Sequence, residues 1–146
     1  MRVVKFRGKR IVNGDWIYGD LFREIALTPT GRKRKSEYNG FLAIQTETPD
    51  GIKSYSVDQE TIGQFTGLFD KHNTEIYEGD ILKGIVTENT ADGDRSRTII
   101  GKVEFGDGSY IVETWNLGWF VFAAEDVEVI GNIHDNPELL EGGKNE

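Results

Sequence analysis

Four carboxylates, Asp70, Glu75, Glu78 and Asp80, fall close together in the stretch GQFTGLFDKHNTEIYEGDIL at 63–82, with His72 among them. A hard divalent cation needs several oxygens converging on one point, so this density invites a metal-assisted enzyme at 70–80. The spacing argues the other way. Along a strand successive side chains leave opposite faces, so Glu75 and Tyr77 part from Ile76 and Glu78. Counting from Asp70, no Gly stands at the sixth position that a calcium loop requires. Each carboxylate instead has a backbone role in prospect. Asp70 suits a turn in which its side chain accepts from an N–H two residues on. Asn73 stands where a short turn needs positive φ, 66–68 turn the chain, and Gly79-Asp80 makes a further turn. Gly67, Asp70, Asn73, Tyr77, Gly79 and Asp80 are therefore read as a structural motif, with no catalytic residue, metal or cofactor assigned.

Other chemistries find less support. A general base needs an orienting carboxylate within reach; His134 has only its neighbour Asp135, and His72 no evident partner, so both read as structural or surface histidines. No serine lies in a nucleophile elbow. GDGS at 106–109 lacks the helix and the Lys-Ser/Thr ending of a phosphate loop and reads as a hairpin turn. With Cys 0, disulfides, thiolate metal sites and cysteine nucleophiles are excluded.

The elements that would position these residues are strands. Val3 to Gly8 alternates apolar and basic residues, and Asn13-Gly14 signals a two-residue hairpin to a return strand at 16–22 in which Gly19 marks a bulge or a close backbone contact. Further strands are expected at 41–46, 53–57, 80–88, 98–105, 110–114, 119–123 and 127–130. ETPDG at 47–51, NTADGDRS at 89–96 and GDG at 106–108 serve as connections, and 57–62 as a helical turn capped by Asp58. Near the end, Asn136 and Pro137 open a helix of one or two turns that Gly142 ends. Such spacing of short strands indicates an antiparallel barrel or sandwich.

Two features point to association. Net charge is -8, yet residues 1–35 hold ten Lys/Arg against three Asp/Glu. Asymmetry of that kind bears on partners, not on fold. The basic run Arg32, Lys33, Arg34 and Lys35 could grip phosphates, although a solvated charge run is the commoner use. Trp115 and Trp119, with Phe120 and Phe122, crowd more aromatic surface into one region than a small barrel readily buries, which suits an interface. A homo-oligomer is expected, with nucleic acid as the alternative partner. No apolar run approaches the ~18 residues of a membrane span, and MRVVKFRGKR lacks the apolar run of a signal peptide. A cytoplasmic, non-membrane protein is the expectation.

The stretch at 63–82, together with KFRGK, WIYGDLF, VDQETIGQ and VEVIGNIHDNPELL, resembles the YopX-like family of phage and prophage proteins. Departures are His72-Asn73 for the family's Asn-Gly, Thr74 for a frequent Lys, and His134 for an aromatic. The resemblance implies a mostly-β protein with an SH3-type barrel in its C-terminal part and an origin in a phage or integrated element. It brings no catalytic residues. The expected fold is thus all-β: an N-terminal antiparallel lobe at 1–62, then an SH3-type barrel at 63–146 with a short terminal helical turn.

Overall fold

The computed structural model describes residues 3–24 and 41–143. The chain divides into two compact units, Met1–Gln64 and Phe65–Glu146.

In the first unit, β1 (Phe6–Lys9), β2 (Trp16–Glu24), β3 (Phe41–Thr48) and β4 (Gly51–Ser56) form antiparallel neighbours in the order β4-β3-β2-β1. Gly63 and Gln64, which open β5 (Gly63–Phe69), pair with Arg7 and Phe6. Ala43, Ile44 and Val57 are buried here. The β1–β2 connection is longer than the Asn-Gly signal suggests. Arg10 N–H donates to the Asp15 carbonyl at 2.8 Å and Gly14 N–H to the Arg10 carbonyl at 2.9 Å, enclosing a four-residue loop. The Asn13 side chain accepts from Asp15 N–H at 3.0 Å, so local bonds stabilise the wider loop. Gly19 is where a backbone comes close: a Cβ there would stand 2.1 Å from the Gln45 carbonyl oxygen. Asp58 caps the 3₁₀ turn Gln59–Thr61, as its position predicts, by accepting from Glu60 N–H.

In the second unit, β6 (Glu75–Tyr77) pairs with β5 through Phe65 and Phe69. A five-stranded antiparallel sheet follows, in the order β10-β9-β8-β7-β11: β7 (Asp80–Thr90), β8 (Gly93–Gly106), β9 (Ser109–Val112), β10 (Trp115–Asn116) and β11 (Glu125–Asn132). That hydrogen-bonded order has two ends, β10 and β11. Its core gathers Ile76, Leu82, Val86, Val103, Val112, Leu117, Phe120 and Val127. The all-β class stands: two antiparallel sheets, with helices limited to α1 (Leu117–Ala123) and α2 (Glu138–Gly143) among the described residues. No described helix is long and apolar enough to cross a membrane.

Four details depart from the sequence reading. Residues 119–123, expected as a strand, lie in α1. The run LGWFVFA has no alternation to hold it in a sheet, and Asn116 starts a helix by accepting from Trp119 N–H at 3.1 Å. NTADGDRS is mostly strand, because β7 and β8 remain paired out to Thr90 and Gly93. This end of the ribbon is exposed on both faces, so it carries no apolar alternation to announce it. At 66–68 the chain does not turn; Gly67, at φ 85, marks an irregularity within β5. Asn136 and Pro137 do precede α2, and the Asn136 carbonyl accepts from Leu139 N–H at 3.1 Å, but the Asn136 side chain accepts from Asn132 N–H at 3.3 Å instead of capping the helix.

Candidate functional site

Asp70, Glu75 and Asp80 are each engaged by the local fold. Asp70 is buried between a turn and β11. Its Oδ1 accepts from His72 N–H at 2.8 Å and Thr74 N–H at 2.9 Å; its Oδ2 accepts from Val129 N–H at 2.9 Å. Asp70 N–H donates to the Thr74 carbonyl and Asn73 N–H to the Asp70 carbonyl, both at 3.0 Å. Burial pushes the Asp70 carboxyl up, but the N–H donors of Val129, Thr74 and His72, with the His72 charge, outweigh it and leave the group below its ordinary value. Asp80, also buried, accepts from Tyr77 N–H at 2.7 Å. Glu75 accepts from the Tyr77 hydroxyl at 3.0 Å. Gly79, at φ 92, donates to the Val103 carbonyl.

His72 finds a partner that its sequence neighbours do not disclose: Nε2 lies 3.4 Å from Glu128 Oε2. Beside it, Lys71 faces Asp126 at 3.8 Å and donates its N–H to the Val127 carbonyl at 2.9 Å. Turn 70–74 is thereby stapled to β11. Among the described residues no three of His, Cys, Asp or Glu gather as a cation would require. The structure uses Asp70 and Asp80 as acceptors for backbone donors, and that is what their buried oxygens can do chemically.

Asn73 has φ 62, a conformation that Gly adopts freely, Asn tolerates and β-branched residues resist. Asn73→Gly is therefore expected to be neutral or stabilising, whereas Asn73→Val costs about 1 kcal/mol or more. Urea denaturation of the two variants checks this; equal stability of both would contradict it.

The aromatic region has a different character. In α1, Phe120 and Leu117 point into the core, whereas Trp119 is 46% and Phe122 90% exposed. The Trp115 and Trp119 rings stack at 6.3 Å with 13° between their planes, and the Arg97 guanidinium lies over Trp115 at 5.4 Å. A groove of about 880 Å³ opens beside them, lined by residues 96–100 of β8, Trp115 and Leu140 of α2, with Lys102, Glu104 and Glu113 adding charges of both signs. The strand expected at 119–123 concealed this arrangement; the clue in sequence was Asn116 before an unbroken apolar run. The structure thus brings Trp115 and Trp119 together. Arg32, Lys33, Arg34 and Lys35 lie outside the described residues.

A family model described as YopX protein matches residues 5–141. The crystal structure of protein EF1440 from Enterococcus faecalis is similar to this chain with a TM-score of 0.52 at 22% sequence identity, over 96% of this chain and 99% of that one. At that identity the likeness speaks for the fold alone. None of the curated proteins matches.

Proposed function

The chain belongs to the YopX family, and from that premise we propose that it is a phage- or prophage-encoded accessory protein that acts by association, chiefly with itself, and without catalysis. One observation carries the reading. Trp119 and Phe122 stand exposed on a short helix beside a stacked tryptophan, and aromatic side chains are enriched in the cores of protein interfaces. Closure of the second sheet into an SH3-type barrel and a cytoplasmic site of action belong to the same reading.

Light scattering tests it. The expected result is a mass well above 16.5 kDa at low salt, with assembly slowed by high salt and weakened about tenfold in Trp119→Ala, the loss expected for an interface anchor. A monomer under those conditions would sink it. A second reading, a nucleic-acid-binding module, draws on the stacked pair and Arg97, which resemble a base-stacking platform, and on the run Arg32 to Lys35. The net charge of -8 opposes it. Salt-dependent retention on heparin by a monomeric chain would favour it.

A further inference from the structure

Asn13-Gly14 signals a turn, and it carries a second chemistry. Asn is a chemically labile residue, because its side-chain amide can be attacked by the backbone nitrogen that follows it. Gly in that place has no Cβ to obstruct the approach. Residues 11–15 are exposed, in the loop between β1 and β2.

The loop ties down the atoms that would react. Gly14 N–H, the source of the nucleophile, donates to the Arg10 carbonyl at 2.9 Å. Asn13 Oδ1 accepts from Asp15 N–H and Asn13 Nδ2 donates to Asp15 Oδ2, both at 3.0 Å, so the amide is held at each end. Arg10 N–H donates to the Asp15 carbonyl at 2.8 Å and closes the loop at its base. For reaction the Gly14 nitrogen must give up its proton. In the closed loop that sets a bare anionic nitrogen against the Arg10 carbonyl oxygen, acceptor facing acceptor. Asp15 N–H would stabilise charge on Oδ1, but only after the attack that the Arg10 bond prevents.

We propose that Asn13 is a site of spontaneous deamidation that the closed loop shuts and loop opening exposes, so that modification there records opening of the β1–β2 connection. In the opened loop a solvent base takes the Gly14 proton and the nitrogen bonds to Asn13 Cγ. The Cγ–Nδ2 bond breaks, and Nδ2 leaves as ammonia with a proton from water. The succinimide ring then adds one water. Breaking its bond from Cγ to nitrogen gives aspartate at position 13. Breaking the other carbonyl–nitrogen bond gives isoaspartate, with Cβ inserted into the main chain. Nothing is oxidised or reduced. Either product sets an acid beside Asp15 and lacks the Nδ2 donor that Asp15 accepts from, so the loop cannot close again on the same bonds.

Trypsin tests this directly, since cleavage after Arg10 and Arg23 releases a peptide in which Asn13 is the single Asn. Mass and chromatography then count amide, aspartate and isoaspartate. At neutral pH the folded chain is expected to convert about tenfold more slowly than the chain in urea, because several hydrogen bonds must open together. Exchange of Gly14 N–H, followed by NMR, gives an independent value. Its protection and the slowing should agree within about threefold, since both need that N–H to leave the Arg10 carbonyl. Asp15→Ala, at an exposed position, should fold; it removes the acceptor at Nδ2 and should deamidate about threefold faster when folded, with its rate in urea unchanged. Equal rates for folded and unfolded chain would overturn the proposal. So would a protected Gly14 N–H beside an unprotected Asn13, or a folded Asp15→Ala chain that reacts at the original rate.

Discussion

Asp70→Ala is expected to destabilise the protein by about 3 kcal/mol, since it removes the charged acceptor of three backbone donors in one buried place. Two of those donors, His72 and Thr74 N–H, belong to the turn; the third, Val129 N–H, belongs to β11. Asp70→Asn separates them. An amide oxygen can keep the two bonds at Oδ1, but the amide nitrogen then confronts Val129 N–H, donor against donor. The expected loss is about half that of Ala. The pH dependence has a definite sign. Because the folded carboxyl titrates below its ordinary value of 3.8, its contribution is fully present above that value and is lost as the pH falls through the folded one. Urea denaturation between neutral pH and pH 3 measures all three. The gap between wild type and Asp70→Asn should narrow as the pH falls below the ordinary value. A constant difference across that range would show that the carboxylate charge is not what matters.

Phe120→Ala should cost about 4 kcal/mol, the usual loss for a buried aromatic. Phe120 is fully buried, and its ring lies against Gly84: a Cβ at that glycine would stand 2.8 Å from Phe120 Cζ. The missing side chain on β7 is the space that the ring fills. The loss also reaches the surface. A seven-residue helix cannot stand alone, so releasing Phe120 frees α1 and scatters Trp119 and Phe122. Phe122→Ala is the contrast, expected within about 0.5 kcal/mol of wild type because that ring is exposed. Chemical denaturation of the two variants checks the pair. Comparable losses would mean that α1 docks through a different face.

Much of this architecture could be read from residue types, and the exceptions share a cause. The turns at Asp70, Asn73, Asp80 and Asp107-Gly108 were legible because their chemistry is local: a side-chain oxygen near an N–H a few residues away, or a residue tolerant of positive φ. The partners across the sheet were not. Nothing adjacent to Asp70 announces Val129, and nothing adjacent to His72 announces Glu128. The far end of the β7–β8 ribbon was hidden for a different reason: alternation is visible only where one face is buried, and there neither is. α1 was misread because aromatic and branched residues favour strands, while the cap at Asn116 and the docking of Phe120 decide the matter. The family resemblance supplied the identity of the motif; the bonds supplied its purpose.

The bond from Val129 to Asp70 spans 59 residues of chain, and that separation has a consequence for the newborn protein. At about 5–20 residues per second, a ribosome needs roughly 3–12 s to make the stretch between them. The β7–β8 hairpin, whose partners are near in sequence, can close during that interval, because hairpins form in about 1–10 μs. The turn at 70–74 has to wait for its donor, with a desolvation-sensitive carboxylate still open to water. Completion of this unit is therefore timed by the emergence of its final strand. A nascent chain halted before β11 should be cleaved by protease at 70–74 while its β7–β8 hairpin resists.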